Sequence, residues 1–119
     1  MTKTISLGLF VLFAVATISH LHILDESFKA GDELLGHIGI WNPLKKDLHD
    51  VTISAELLET GDFRQVAKVD IPKRSNYGQF FAFELPSYLT PGDYILKVSA
   101  TSEQSGKIND HKYSFITVK

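Results

Sequence analysis

Two histidines, His20 and His22, stand either side of Leu21. Side chains alternate between the faces of an extended strand. Both imidazoles therefore share one face, about 7 Å apart. Imidazole nitrogens suit copper or zinc, and a third donor would complete a site. His111, next to Asp110 near the C-terminal end, is the third candidate. Cleavage of the chain before His20 would add a free amine to the set. The competing reading makes these solvent-facing residues of an edge strand, with no cofactor held. His37 and His49 read as structural or solvated.

Other chemistry finds little footing. The chain has no cysteine, which removes disulfides, thiolate metal sites and thiol nucleophiles together. No G-x-S-x-G elbow is present to expose a nucleophilic serine. The carboxylate pairs Asp25-Glu26 and Asp32-Glu33 fall at turns, where they are solvated. General acid–base work needs a pocket that shifts a pKa. No D-x-D-x-D-G calcium loop and no phosphate-cradling glycine motif occur. The sequence names no catalytic residue, and the expectation is a protein that is not an enzyme. Trp41, Phe80 and Tyr77, with Tyr88, could instead form an exposed aromatic surface for a protein or a sugar. Against this, a lone tryptophan in a sandwich often packs between the sheets.

The elements that would carry these residues are short. Net charge is −2 and basic residues do not cluster beyond Lys45-Lys46 and Lys73-Arg74. That excludes the basic stripe of a nucleic-acid binder. Lys3 precedes an apolar run from Ile5 to Ile18, and no charge follows until Asp25. A positive start, an apolar run and a small-residue exit mark an export signal. Residues 1–19 are therefore expected to be a signal peptide or a membrane anchor. Cleavage would fall before Thr17, after Ala14-Val15-Ala16, or before His20. The protein is expected to be extracellular or at the cell surface, touching membrane only through that segment if it stays uncleaved.

Residues 20–119 carry no helical periodicity. Alternating runs separated by turn residues recur about every ten residues, the pattern of an all-β domain. The expected strands are His20 to Leu24, Glu33 to Asn42, Val51 to Leu57, Arg64 to Ile71, Gly78 to Leu85, Tyr94 to Ala100 and Tyr113 to Val118. Gly36 and Gly39 weaken the second and mark a bulge or a close backbone approach. Phe81, Phe83 and Leu85 share a core-facing side, with Phe80 opposite. Leu35 and Trp41 lie opposite Ile38 and Ile40. About seven strands of this kind predict an immunoglobulin-like, two-sheet antiparallel sandwich.

Two segments carry a family likeness. Gly31-Asp32, the strand to Asn42, and Leu48-His49-Asp50-Val51-Thr52-Ile53 resemble the opening of CARDB-like and APHP-like sandwiches of prokaryotic surface proteins. Thr90-Pro91-Gly92-Asp93-Tyr94-Ile95-Leu96-Lys97-Val98 resembles their penultimate strand, in which the tyrosine hydroxyl can cap the corner. The Pro-Leu-Lys-Lys after Asn42 departs from the family's glycine turn. The resemblance implies a non-catalytic spacer, adhesion or assembly domain. The expected mechanism is contact with a protein partner, or with itself, through a sheet face or an edge strand; an N-terminal segment that completes a neighbour's sheet would make a filament. The C-terminal segment also looks a little like CopC-type copper carriers, which favours the histidine alternative. A carbohydrate-binding module is the third reading.

Overall fold

The computed structural model describes residues 15–102 and 108–119. Eight strands form two sheets: β1 (Thr17–Ile23), β2 (Ser27–Phe28), β3 (Glu33–Asn42), β4 (Leu48–Leu57), β5 (Phe63–Ile71), β6 (Ser75–Glu84), β7 (Gly92–Ser102) and β8 (Asn109–Val118). One sheet has the order β1-β3-β6, the other β2-β8-β7-β4-β5. All pairings are antiparallel except β2 with β8.

Period-two burial builds this layout. Leu34, Ile38 and Ile40 of β3 face Ile53, Ala55 and Leu57 of β4 across one apolar layer with Phe81, Phe83, Leu96, Val98 and Ile116, all 4% exposed or less. The intervening residues point to water. The alternation slips once within β4. Leu48 and Val51 are both buried although three residues apart, because the register shifts between them and Asp50 takes φ 56°. Aspartate tolerates this left-handed backbone better than a branched residue. Its N–H donates to Asp70 Oδ1 at 3.0 Å, which holds the bulge.

Several boundaries differ from the sequence reading. The first strand begins at Thr17, not His20, and Ile18 and Ala16 lie in the core at 4% and 1% exposure. Residues 1–14, most of the expected export segment, lie outside the described residues. Ser27 belongs to a two-residue strand, absent from the expected set, that takes the chain over to the second sheet. β6 starts at Ser75, three residues before Gly78, and β8 at Asn109, four residues before Tyr113. Polar residues fill these extensions, so hydrophobic alternation could not mark them.

Two polar ties close one end of the sandwich. Tyr94 donates its hydroxyl to the Thr90 carbonyl at 2.7 Å, the corner expected before β7. A Tyr94→Phe variant should lose about 1 kcal/mol, since only the hydroxyl's contacts with the Thr90 carbonyl and the Thr90 hydroxyl at 3.3 Å are removed and the ring stays. Urea unfolding measures this, and an unchanged midpoint would mean the corner contributes nothing. At the same end, Asp62 accepts from the hydroxyls of Thr60, at 2.5 Å, and Tyr88. The two hydroxyls hold the Asp62 carboxyl below its ordinary range, the Thr60 contact contributing most, while the carboxylate acceptor pushes Tyr88 upward.

Candidate functional site

The three-stranded sheet turns an outer face to solvent. His20 and His22 of β1 reach that face together, because Leu21 and Ile23 between and after them pack against the core. From β3 come Leu35, His37 and Trp41, and from β6 comes Phe80, directly opposite His37 in the register. Leu35 is 42%, Trp41 38% and Phe80 66% exposed. Leu24, just past β1, adds another exposed side chain and bonds through its N–H to the Leu35 carbonyl at 3.0 Å.

The centre of the face is a pair of imidazoles. His20 Nε2 and His37 Nδ1 lie 2.8 Å apart. The ring planes differ by only 9°, and the centroids are 5.0 Å apart. That separation is what one N···N hydrogen bond plus the reach of each ring amounts to. The rings thus meet edge to edge in nearly one plane, not one above the other. One nitrogen carries the proton and the other accepts it. Phe80 stands edge-on to His37, with centroids 4.6 Å apart and planes at 67°.

Glycines make room for this arrangement. Gly39 lies across from His20 and Gly78 lies across from Gly39. A Cβ on Gly39 would collide with the His20 ring and sit 2.8 Å from Ser19 Oγ; one on Gly78 would sit 2.9 Å from His37 Cε1 and Nε2. The rings therefore rest on bare backbone. The expected close approach at Gly39 is an imidazole. At Gly36, on the inner face, it is the Phe81 ring. An open trough of about 300 Å³ runs beside the pair, lined by Ser19, His20, Gly39, Asn76, Tyr77 and Gly78.

The candidate residues are only partly brought together. His20 and His22 share a face as expected. His111 lies on β8 in the other sheet, edge-on to Tyr113 with centroids 5.2 Å apart. Among the described residues no three His, Cys, Asp or Glu side chains converge as a metal site. Trp41 and Phe80 share the outer face, but Tyr77 turns inward, packs against the core and reaches Gln79 Oε1 at 3.2 Å. Tyr88 is tied to Asp62, away from this face. His37, read as structural or solvated, is the residue that meets His20. The signal was its parity: it sits on the same side of β3 as Leu35 and Trp41, two residues from a glycine.

No protein-family model matches the chain, and no curated protein matches it either. Solved structures do. The sporulation control protein Spo0M of Bacillus subtilis aligns at TM-score 0.62 and 13% identity, over 88% of this chain and 49% of that one. The alkylpurine DNA glycosylase AlkC of Pseudomonas fluorescens aligns at 0.65 and 10%, over 94% of this chain and 32% of that one. The CARDB domain of PF1109 from Pyrococcus furiosus, solved with di-metal ions, aligns at 0.57 and 6%, over 88% of this chain and 86% of that one. The chain spans about half of Spo0M and about a third of the glycosylase. At such identities the likeness reports architecture alone. That architecture, shared with a CARDB domain, is an all-β immunoglobulin-like sandwich.

Proposed function

We propose that this is a non-catalytic, exported interaction domain whose contact surface is the outer face of the β1-β3-β6 sheet. One observation carries the reading. Trp41, Phe80, Leu35 and Leu24 are exposed together around a hydrogen-bonded imidazole pair. No lysine or arginine stands on the outward positions of these three strands. Aromatic anchors on a rigid platform with few charges are the composition of an interface centre. Neither the apolar residues nor the rings need reorganise on binding, which keeps the ordering cost low. Export rests on the Lys3 and Ile5 to Ile18 pattern.

A site-specific photo-crosslinker tests this in cells. Benzoylphenylalanine in place of Phe80 should give discrete protein adducts. The same group in place of Phe115, which is 80% exposed on the other sheet, should give few. Equal labelling from both positions, or none from Phe80, would overturn the assignment of the face.

The metal reading fares less well. His20 and His37 already satisfy each other, and their edge-to-edge geometry points both nitrogens along one line instead of towards a shared ion. Copper titration should show no site tighter than about micromolar, the weak end of specific binding.

A further inference from the structure

The four sheet edges are not treated alike. An open edge presents unpaired N–H and C=O groups that template another strand unless it is bulged, charged or covered. β1 carries a register shift between Ile18 and His20, and the Ile18 N–H is capped by Asp110 Oδ2 at 2.8 Å. β5 has an irregular register with β4 and carries Arg64, Lys68 and Asp70. β8 is covered at its end by β2 and carries Asp110 and Lys112 along the rest. β6 has no bulge, cover or mid-strand charge; its Gln79 side-chain amide donates to the Phe80 carbonyl at 2.9 Å, a contact that a second strand would displace. It pairs with β3 over ten consecutive residues without a shift, contains no proline, and its only charge is Glu84 at the last position. Among the described residues nothing pairs with its other edge.

From this contrast we infer that β6 is a pairing edge, and that its occupant is β6 of a second copy, antiparallel about a twofold axis at Phe80. The strand is self-complementary in that register. Phe80 faces Phe80, Gly78 faces Ala82, and Asn76 faces Glu84, so no like charges oppose each other. Directly opposed aromatic pairs favour an antiparallel ladder. The twofold keeps both outer faces on one side. The sheet becomes six strands wide, and the Trp41, His37 and Phe80 platforms join into one strip. Such an isologous contact closes on itself, so it yields a dimer and not a filament. This deepens the proposed role of the same face and rests on it.

The absence of native cysteine makes the test clean. Phe80→Cys and Phe115→Cys full-length chains are oxidised side by side. Two cysteines at the axis sit within disulfide reach, because opposed residues of an antiparallel ladder have Cα atoms about 4.5–5.5 Å apart. The position-80 variant should form a single covalent dimer at least tenfold faster than the position-115 variant. Phe80→Lys sets two like charges opposite each other at the axis. It should weaken the dimer at least tenfold in analytical ultracentrifugation, while its circular dichroism stays that of the parent. Equal oxidation rates, or assemblies larger than a dimer that survive Phe80→Lys, would overturn the pairing. Photo-adducts from position 80 to other proteins, with no self-adduct, would also overturn it yet leave the interaction reading standing. No adduct of any kind would remove both.

Discussion

An Asn42→Leu variant should lose about 3 kcal/mol of stability, although the two side chains have nearly the same volume. Asn42 is the only fully buried polar residue among those described. Its Nδ2 donates towards the carbonyls of Lys46 at 3.2 Å, Ile71 at 3.3 Å and Pro72 at 3.1 Å. Its Oδ1 accepts from the Leu44 N–H at 3.0 Å. An amide has two N–H groups, so one of the three carbonyls shares a proton. Leucine would leave a donor and several carbonyls without partners, at about 1 kcal/mol or more each. The network joins the end of β3 to the close of β5, which lies in the other sheet. Its loss should therefore open that whole end. Urea denaturation gives the number, and hydrogen exchange at Leu44 and Ile71 gives the location. A loss under about 1 kcal/mol would show that water replaces the amide at little cost.

The second large effect concerns Gly36. In a strand interior, glycine to alanine ordinarily stabilises by about 0.5–1 kcal/mol through the unfolded chain. Here the sign should reverse. A Cβ on Gly36 would overlap the tip of the Phe81 ring and lie 2.7 Å from Cε1, and Phe81 is itself 4% exposed. Overpacking of this kind costs about 1–3 kcal/mol. We expect Gly36→Ala to lose about 2 kcal/mol. In a Phe81→Ala background, itself destabilised by the lost core ring, adding Gly36→Ala should cost nothing further, because the obstructing ring is gone. The double-mutant cycle thus predicts a coupling of about 2 kcal/mol. Independent, additive effects would show that the ring swings away freely.

Much of this fold could be read from the chain because burial follows a period of two. Phe81, Phe83 and Leu85 are expected in the core, and all are at 4% exposure or less. Phe80 and Trp41 were placed on the opposite side of their strands for the same reason. What alternation cannot carry is anything that breaks or joins it. The bulge at Asp50 depends on one residue's backbone and a partner twenty positions away. Ile18 looked like part of an apolar export run, since hydrophobicity alone does not separate a core strand from a signal. The His20–His37 pair needs the cross-strand register, which shifts by one residue just before His20. Tyr77 was grouped with Trp41 and Phe80 by residue type, yet it is three positions from Phe80 and so points the other way.

The course of the chain has a mechanical corollary. β1 starts beside Asp110, where β8 begins, and β2 ends beside Val118, where β8 finishes. The described polypeptide thus enters at one pole and leaves, through Lys119, at the other. Tension applied between those poles would run lengthwise along β1 and β8. Their ladders would then slide in shear, with many bonds strained at once, instead of peeling open one by one.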